Sequence, residues 1–239
     1  MMAFEGRVAL VTGANKGIGK EIARQLAGQG FTVVASARDE ERGRKAVEEL
    51  AGDVRYLKLD VTDEGSIEDA VAFLDKEFGR LDVLVNNAGI SLDRGRPVVE
   101  MSTADVQATF ETNVFGVIAV TRASLPLLRK AKGQVINMSS GLGSTTLLAD
   151  PNGPDMGPDV LGYSASKAAL NMVTVLYARA LKDEGVRVNA VSPGYVATDL
   201  NGHTGFRTVE EGAAIAVRMA TQETVPTGAF LNDAGPMAW

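Results

Sequence analysis

Cysteine is absent from the 239 residues. That removes disulfides, thiolate metal sites and a cysteine nucleophile. Histidine occurs once, at His203, so acid–base chemistry by imidazole would rest on a single ring. No pair of His or acidic residues has the spacing of a metal site, and no metal is expected. No apolar run approaches the roughly 18 residues of a membrane helix. The opening MMAFEGRVAL has neither the basic start nor the long apolar core of a secretory signal. Positive charge is in deficit: 24 Lys and Arg face 30 Asp and Glu, for a net charge of −6. A chain that binds nucleic acid through its phosphates would carry the opposite balance. The expectation is a soluble, cytoplasmic protein with no nucleic-acid or membrane partner. Hydrophobic residues make up 45% and charged residues 23%, which is globular composition. Glycine is frequent, 26 residues, so part of the backbone should turn tightly or approach a ligand closely.

Strand-like and helix-like segments alternate along the chain. Short apolar runs at 7–11, 32–36, 54–59, 82–86, 134–139, 187–192 and 229–232 read as strands. Between them, 17–30, 40–50, 64–78, 103–129, 163–183 and 209–220 read as helices. Pro126 would kink the long 103–129 stretch. Apolar strands separated by amphipathic helices mean parallel strands covered on both faces. The expected fold is α/β: a single-domain, Rossmann-like, doubly wound parallel sheet of about seven strands with helices on both faces. No linker-like shift in composition interrupts residues 1–239, so they read as one domain. The stretch 140–162 holds three prolines and reads as a loop at the ligand-binding edge of the sheet.

Thr12-Gly13-Ala14-Asn15-Lys16-Gly17-Ile18-Gly19 joins the first strand to the first helix. Glycines there let the backbone approach a pyrophosphate, and a helix N-terminus attracts its charge. The second strand runs out into Ala37-Arg38. An NAD site wants an acid near this point, for the ribose 2′-hydroxyl. A guanidinium suits a 2′-phosphate instead, and Lys16 offers a second cation. The cofactor expected is therefore NADPH (NADP+). Tyr163 and Lys167 are four apart and share a helix face. A nearby ammonium favours a phenolate and lowers its pKa, which suits a tyrosine that exchanges protons. Ser140 follows the fifth strand, where a hydroxyl can donate to a carbonyl.

The motifs TGANKGIG, ARDEERG, LDVTD, NNAG, TNVFG, NMSS, YSASK and PGYVATD follow one another in one order. The chain resembles the short-chain dehydrogenase/reductase family over nearly its whole length, and within it the carbonyl reductases. The resemblance implies a catalytic set of Asn113, Ser140, Tyr163 and Lys167. Ser140 rather than Ser139 polarises the substrate, and Asn113 shapes a helix kink and holds a relay water near the lysine. It implies a cofactor site of Gly13, Asn15, Lys16, Gly17, Ile18, Gly19 and Arg38. Asp60 and Val61 border the adenine, and Asn87, Ala88 and Gly89 the adenosine ribose. Pro193, Gly194, Val196 and Thr198 hold the nicotinamide end together with Tyr163 and Lys167.

The function so implied is NADPH-dependent hydride transfer to a ketone or aldehyde of a small organic substrate. Two alternatives stand beside it: an alcohol dehydrogenase working oxidatively, and a non-catalytic NADPH-binding regulator. The interval from Ser140 to Tyr163 is wider than in most relatives, so its extra residues must bulge over or beside the site. The segment after Asp199 is short, which implies a small lid. His203 reads as a surface or rim residue, and Trp239 as an anchor packed on the body. Partial cover of the tyrosine-bearing helix by the insertion implies a monomer or a weak homodimer.

Overall fold

The computed structural model describes residues 4–93, 96–153, 159–222 and 224–239. Eight strands form one sheet in the order β3-β2-β1-β4-β5-β6-β7-β8. They are β1 (Val8–Val11), β2 (Thr32–Ala37), β3 (Val54–Lys58), β4 (Val83–Asn86), β5 (Gln134–Met138), β6 (Arg187–Val191), β7 (Phe230–Asn232) and β8 (Gly235–Pro236). Every neighbouring pair is parallel except β7–β8. The seven expected strands are present, and the two-residue β8 adds an antiparallel return. Strand order reverses between β1 and β4, which opens a crevice at their carboxyl ends.

Alternation along the strands divides the core between the two faces. Ala9 and Val11 of β1 pack with Ile22 and Leu26 of α1 (Gly17–Gly28) and with Ile215 and Met219 of α8 (Val209–Thr221). Val8 and Leu10 pack on the other face, against Leu74 of α3 (Glu64–Phe78) and Leu127 and Leu128 of α5 (Gly116–Ala131). Ala178 of α7 (Leu161–Ala180) joins that second cluster. Between β2 and β3 runs α2 (Glu40–Glu48), capped by Asp39, whose carboxylate accepts from the Arg42 N–H. Among the described residues no helix is long and apolar enough to cross a membrane.

Two expectations are corrected. The 103–129 stretch is not one helix kinked at Pro126. It is α4 (Thr103–Phe110), a wide π turn (Glu111–Phe115) and then α5, which carries Pro126 inside it. A π turn adds a residue to the helical repeat. Here it turns both Asn113 and Val114 into the interior while Phe115 stays exposed. The 140–162 stretch is not wholly loop either. It begins with a 3-10 turn (Gly141–Gly143) and α6 (Thr145–Ala149), capped by the Ser144 hydroxyl. The Trp239 carbonyl accepts from the Thr146 N–H at 3.0 Å, and the Trp239 ring stacks on Phe230 at 5.5 Å. The carboxyl end thus ties the insertion to the sheet. Residues 154–158 of the insertion lie outside the described residues.

Candidate active site

A cleft of about 1450 Å³ runs along the carboxyl ends of the central strands. At one end lies the glycine loop. Gly13 has φ +64°, and a Cβ there would stand 2.9 Å from the Ala88 Cα. A Cβ on Gly19 would meet the Asn87 side-chain amide at 2.3 Å. Only glycine allows the loop to lie this close to the end of β4. Thr12 and Asn87 lock that contact. The Thr12 hydroxyl accepts from the N–H groups of Asn87 and Ala88, both at 3.0 Å, and Asn87 donates back to the Thr12 carbonyl at 2.9 Å. The first turn of α1 has no side-chain cap and no acidic residue. Its N–H groups and its dipole are left for an anion.

Asn15, Lys16, Gly17, Ile18, Arg38, Asp60, Val61, Asn87, Ala88 and Gly89 all line this half of the cleft. Asp60 is fixed by the N–H and hydroxyl of Thr62, and these bonds outweigh burial to hold its carboxyl below the usual value. Arg38 is exposed at the end of β2. Lys16, expected as a second cation for the phosphate, carries an ion pair of its own. Its Nζ lies 2.5 Å from Asp199 across the cleft, and the other oxygen of Asp199 meets His203 Nε2 at 2.7 Å. His203 is thus a rim residue, as its sequence position implied.

At the other end Ser140, Tyr163 and Lys167 converge. Lys167 is buried, and its Nζ donates to the Met138 carbonyl at 2.8 Å. Gly143 makes room for this packing, since a Cβ there would stand 2.7 Å from the Lys167 backbone. Burial lowers the Lys167 ammonium to about 8. Tyr163 moves the opposite way: burial pushes its phenol up to about 12, with the neighbouring Ser140 hydroxyl opposing. The net direction of the shift at Tyr163 is thus set by burial and not by the Lys167 ammonium. Nζ stands 5.4 Å from the centre of the Tyr163 ring and is held by a carbonyl, so desolvation dominates. At neutral pH the phenol keeps its proton and the ammonium keeps its charge.

Ser139 and Ser140 divide their roles. The Ser139 hydroxyl is buried and donates to Asn171 at 2.6 Å. Ser140 lines the cleft and also accepts from the Leu142 N–H at 3.2 Å. Asn113 does not line the cleft; it lies fully buried behind it. Its side-chain oxygen accepts from the Ile90 N–H at 2.9 Å. Its amide donates to the Ile90 carbonyl at 2.9 Å and to Ser166 at 3.0 Å. The side chain thereby joins the cleft wall to α7.

Pro193, Gly194, Val196 and Thr198 form the wall beyond β6. A staple holds this wall: Arg207 donates to the Pro193 carbonyl at 2.7 Å and pairs with Asp233. The short lid folds back on itself through a bridge between Val196 and Arg207. Phe206 stays exposed at its tip, edge-on to Tyr195.

One residue absent from the expected site is Asp93. It is buried on the cleft wall, and its two oxygens accept from the N–H groups of Gly162 at 2.7 Å and Tyr163 at 2.9 Å. A carboxylate 70 positions away thus caps the helix that carries Tyr163. No local pattern marks such a cap. Thr12, by contrast, stood in the glycine motif and needed only its partner in NNAG.

The sequence profile of the short chain dehydrogenases matches residues 7–206. The chain is 36% identical to carbonyl reductase (NADPH) 3 of Mus musculus, with both chains covered completely. It is 35% identical to the short-chain dehydrogenase anuI of Penicillium roqueforti (strain FM164), over 93% of this chain and 91% of that one. Among solved structures, the NADPH-bound carbonyl reductase from chicken fatty liver matches with a TM-score of 0.87 and 31% identity. That match spans 98% of this chain and 100% of the other.

Proposed function

Since this chain belongs to the short-chain dehydrogenase family of oxidoreductases, we propose that it is an NADPH-dependent reductase of ketones or aldehydes. The observation that carries the reading is the convergence of Ser140, Tyr163 and Lys167 at one end of the cleft, opposite the glycine loop. The phenol stands at about 12, so Tyr163 holds a proton to give at neutral pH. Bound NADPH would supply a hydride to the carbonyl carbon. Ser140 donates a hydrogen bond to the carbonyl oxygen and orients it. Tyr163 gives its proton to that oxygen as negative charge develops there. Lys167, charged below about 8, stabilises the phenolate left behind and binds the nicotinamide ribose. Asn113 serves from behind, by fixing the Ile90 backbone and α7.

The residues present fit the cofactor. The glycine cradle and the uncapped start of α1 suit the pyrophosphate, with Asn15, Gly17 and Ile18 beside it. Asp60 and Val61 would flank the adenine, and Asn87 to Gly89 the adenosine ribose. Pro193 to Thr198 would hold the nicotinamide end. Arg38 would read the 2′-phosphate, and Lys16 would join it on leaving Asp199. Arg38→Asp is therefore expected to weaken NADPH about ten- to hundredfold while changing NADH far less. Fluorescence titration of both cofactors checks this, and equal losses would show that Arg38 does not read the phosphate.

Oxidation of NADPH against a panel of ketones, aldehydes and quinones tests the function itself. No turnover with any of them would favour a non-catalytic binder. The proposal includes a monomer or weak homodimer. Phe115, Leu161, Met172 and Leu176 are the large apolar residues left exposed on the π turn and α7. A handful of apolar side chains is few for the roughly 1,200–2,000 Å² of a stable interface. Light scattering at micromolar concentration should give a mass near 25.1 kDa, and a stable tetramer would overturn this part.

A further inference from the structure

The edge of the sheet opposite the cleft carries a second concave feature. The amino-terminal ends of β1, β4, β5 and β6 lie side by side there. Arg7 precedes β1, Arg80 and Asp82 precede β4, Lys132 precedes β5, and Arg187 opens β6. Together with Gln134 they line a recess of about 130 Å³. Its side chains bring four cations and one carboxylate. That carboxylate is already committed. Asp82 accepts two bonds from Arg80, at 3.0 and 2.6 Å, and a third from the Val8 N–H at 2.9 Å.

The remaining three cations have no acidic partner among the described residues. Arg7 lies over the Phe4 ring, and the Lys132 stem lies against Gly185. The Arg187 side chain makes no hydrogen bond, and its Nε is buried without a partner. Burial and the charge of Arg7 both hold the Arg187 guanidinium below its usual value. Gln134 is buried as well; its amide donates to the Ala220 carbonyl at 3.2 Å, while its Oε1 has no donor. Several arginines and lysines of this acidic chain pair with carboxylates, as at Arg129–Glu184 and Lys130–Asp75, while exposed ones such as Arg38 stand in water. A recess lined by three cations that no carboxylate neutralises offers a place for an anion.

We propose that this recess binds phosphate, as the free ion or as the phosphoryl group of a small monoester. Guanidinium forks match phosphate oxygens, and a lysine adds a point charge. The volume equals about four waters of liquid. Organic-ligand sites run to about 300–1,000 Å³, so this one takes a phosphoryl group and leaves any larger part outside. The site lies across the sheet from the nicotinamide cleft and does not depend on the reaction proposed above. Its occupant would clamp the starts of the four central strands and stabilise the folded chain by mass action.

Thermal unfolding and titration calorimetry of the full chain test this, with inorganic phosphate against chloride at matched ionic strength. The expected result is a saturable rise in Tm, about 5–10 °C at a hundredfold excess over Kd. Arg187→Gln and Lys132→Asn should each reduce that rise severalfold. Arg187→Gln should also be at least as stable as the parent without phosphate, because it removes a half-buried unpaired charge. The glycine-loop end of the cleft is a second place for phosphate, so Arg38→Ala is the control and must keep the full rise. Glycerol 3-phosphate separates the two sources: an equal rise identifies a monoester, and none identifies the free ion. Equal effects of phosphate and chloride overturn the proposal. So does a rise that survives in both recess variants, or one that disappears with Arg38→Ala.

Discussion

Tyr163→Phe is expected to lower turnover by about two to four orders of magnitude while leaving the affinity for NADPH nearly unchanged. The substitution removes one oxygen and keeps the ring that packs beside Lys167. The lost oxygen carries the proton that the developing alkoxide needs, and water is a poor substitute at a buried site. Cofactor affinity survives because Lys167 is held by the Met138 carbonyl and not by the phenol. Stopped-flow reduction of a responsive ketone, with a parallel binding titration, separates the two. Near-normal turnover in the variant would remove Tyr163 as the proton donor.

The pH profile carries a companion expectation with a definite sign. Lys167 is charged below about 8 and neutral above it, whereas Tyr163 stays protonated up to about 12. The reductive kcat/KM of the free enzyme should therefore be flat below pH 8 and fall above it, through the lysine. A fall that begins only near pH 10 would mean that the charge on Lys167 is dispensable.

The alternation of apolar strands with amphipathic helices was legible because a parallel sheet buries both faces of each strand. The glycine loop was legible because its steric demand is local: Gly13 and Gly19 lie against the end of β4 and admit no Cβ. Tyr163 and Lys167 were legible because one helical turn sets their spacing. Pro126 misled because the break in its stretch is set by a distant partner: Asn113 reaches Ile90 and Ser166, and the helix widens at that point. Five residues of α6 are too few to show a period, so the insertion read as loop. The direction of the tyrosine shift was hidden for a similar reason. Spacing placed the ammonium near the ring, but the burial that outweighs it depends on the whole fold. The pairing of Lys16 was hidden likewise, because Asp199, its partner, stands 183 positions away.

Asp93→Ala should lower kcat about a hundredfold with a smaller change in KM for the carbonyl substrate. Asp93 touches neither the proposed proton nor the cofactor; it acts by position. Its two oxygens hold the first turn of α7 at Gly162 and Tyr163. Those N–H groups are orphan donors of a helix start, and α7 has no cap from its own N-cap residue, Val160. Without the carboxylate the first turn frays, and Tyr163 sits in that turn. Misplacement of a reacting group by about 1 Å costs on the order of a hundredfold in rate. Lys167 lies a turn further along, anchored to the Met138 carbonyl, so cofactor affinity should hold. Asp93→Asn keeps one acceptor and should recover part of the rate, whereas Asp93→Ala keeps none. A merely structural role would lower Tm in both variants and leave kcat per folded molecule unchanged. Circular dichroism with active-site titration tells the outcomes apart: a kcat that follows only the folded fraction would return Asp93 to the scaffold. A kcat deficit in fully folded protein would make it the positioning residue of the tyrosine.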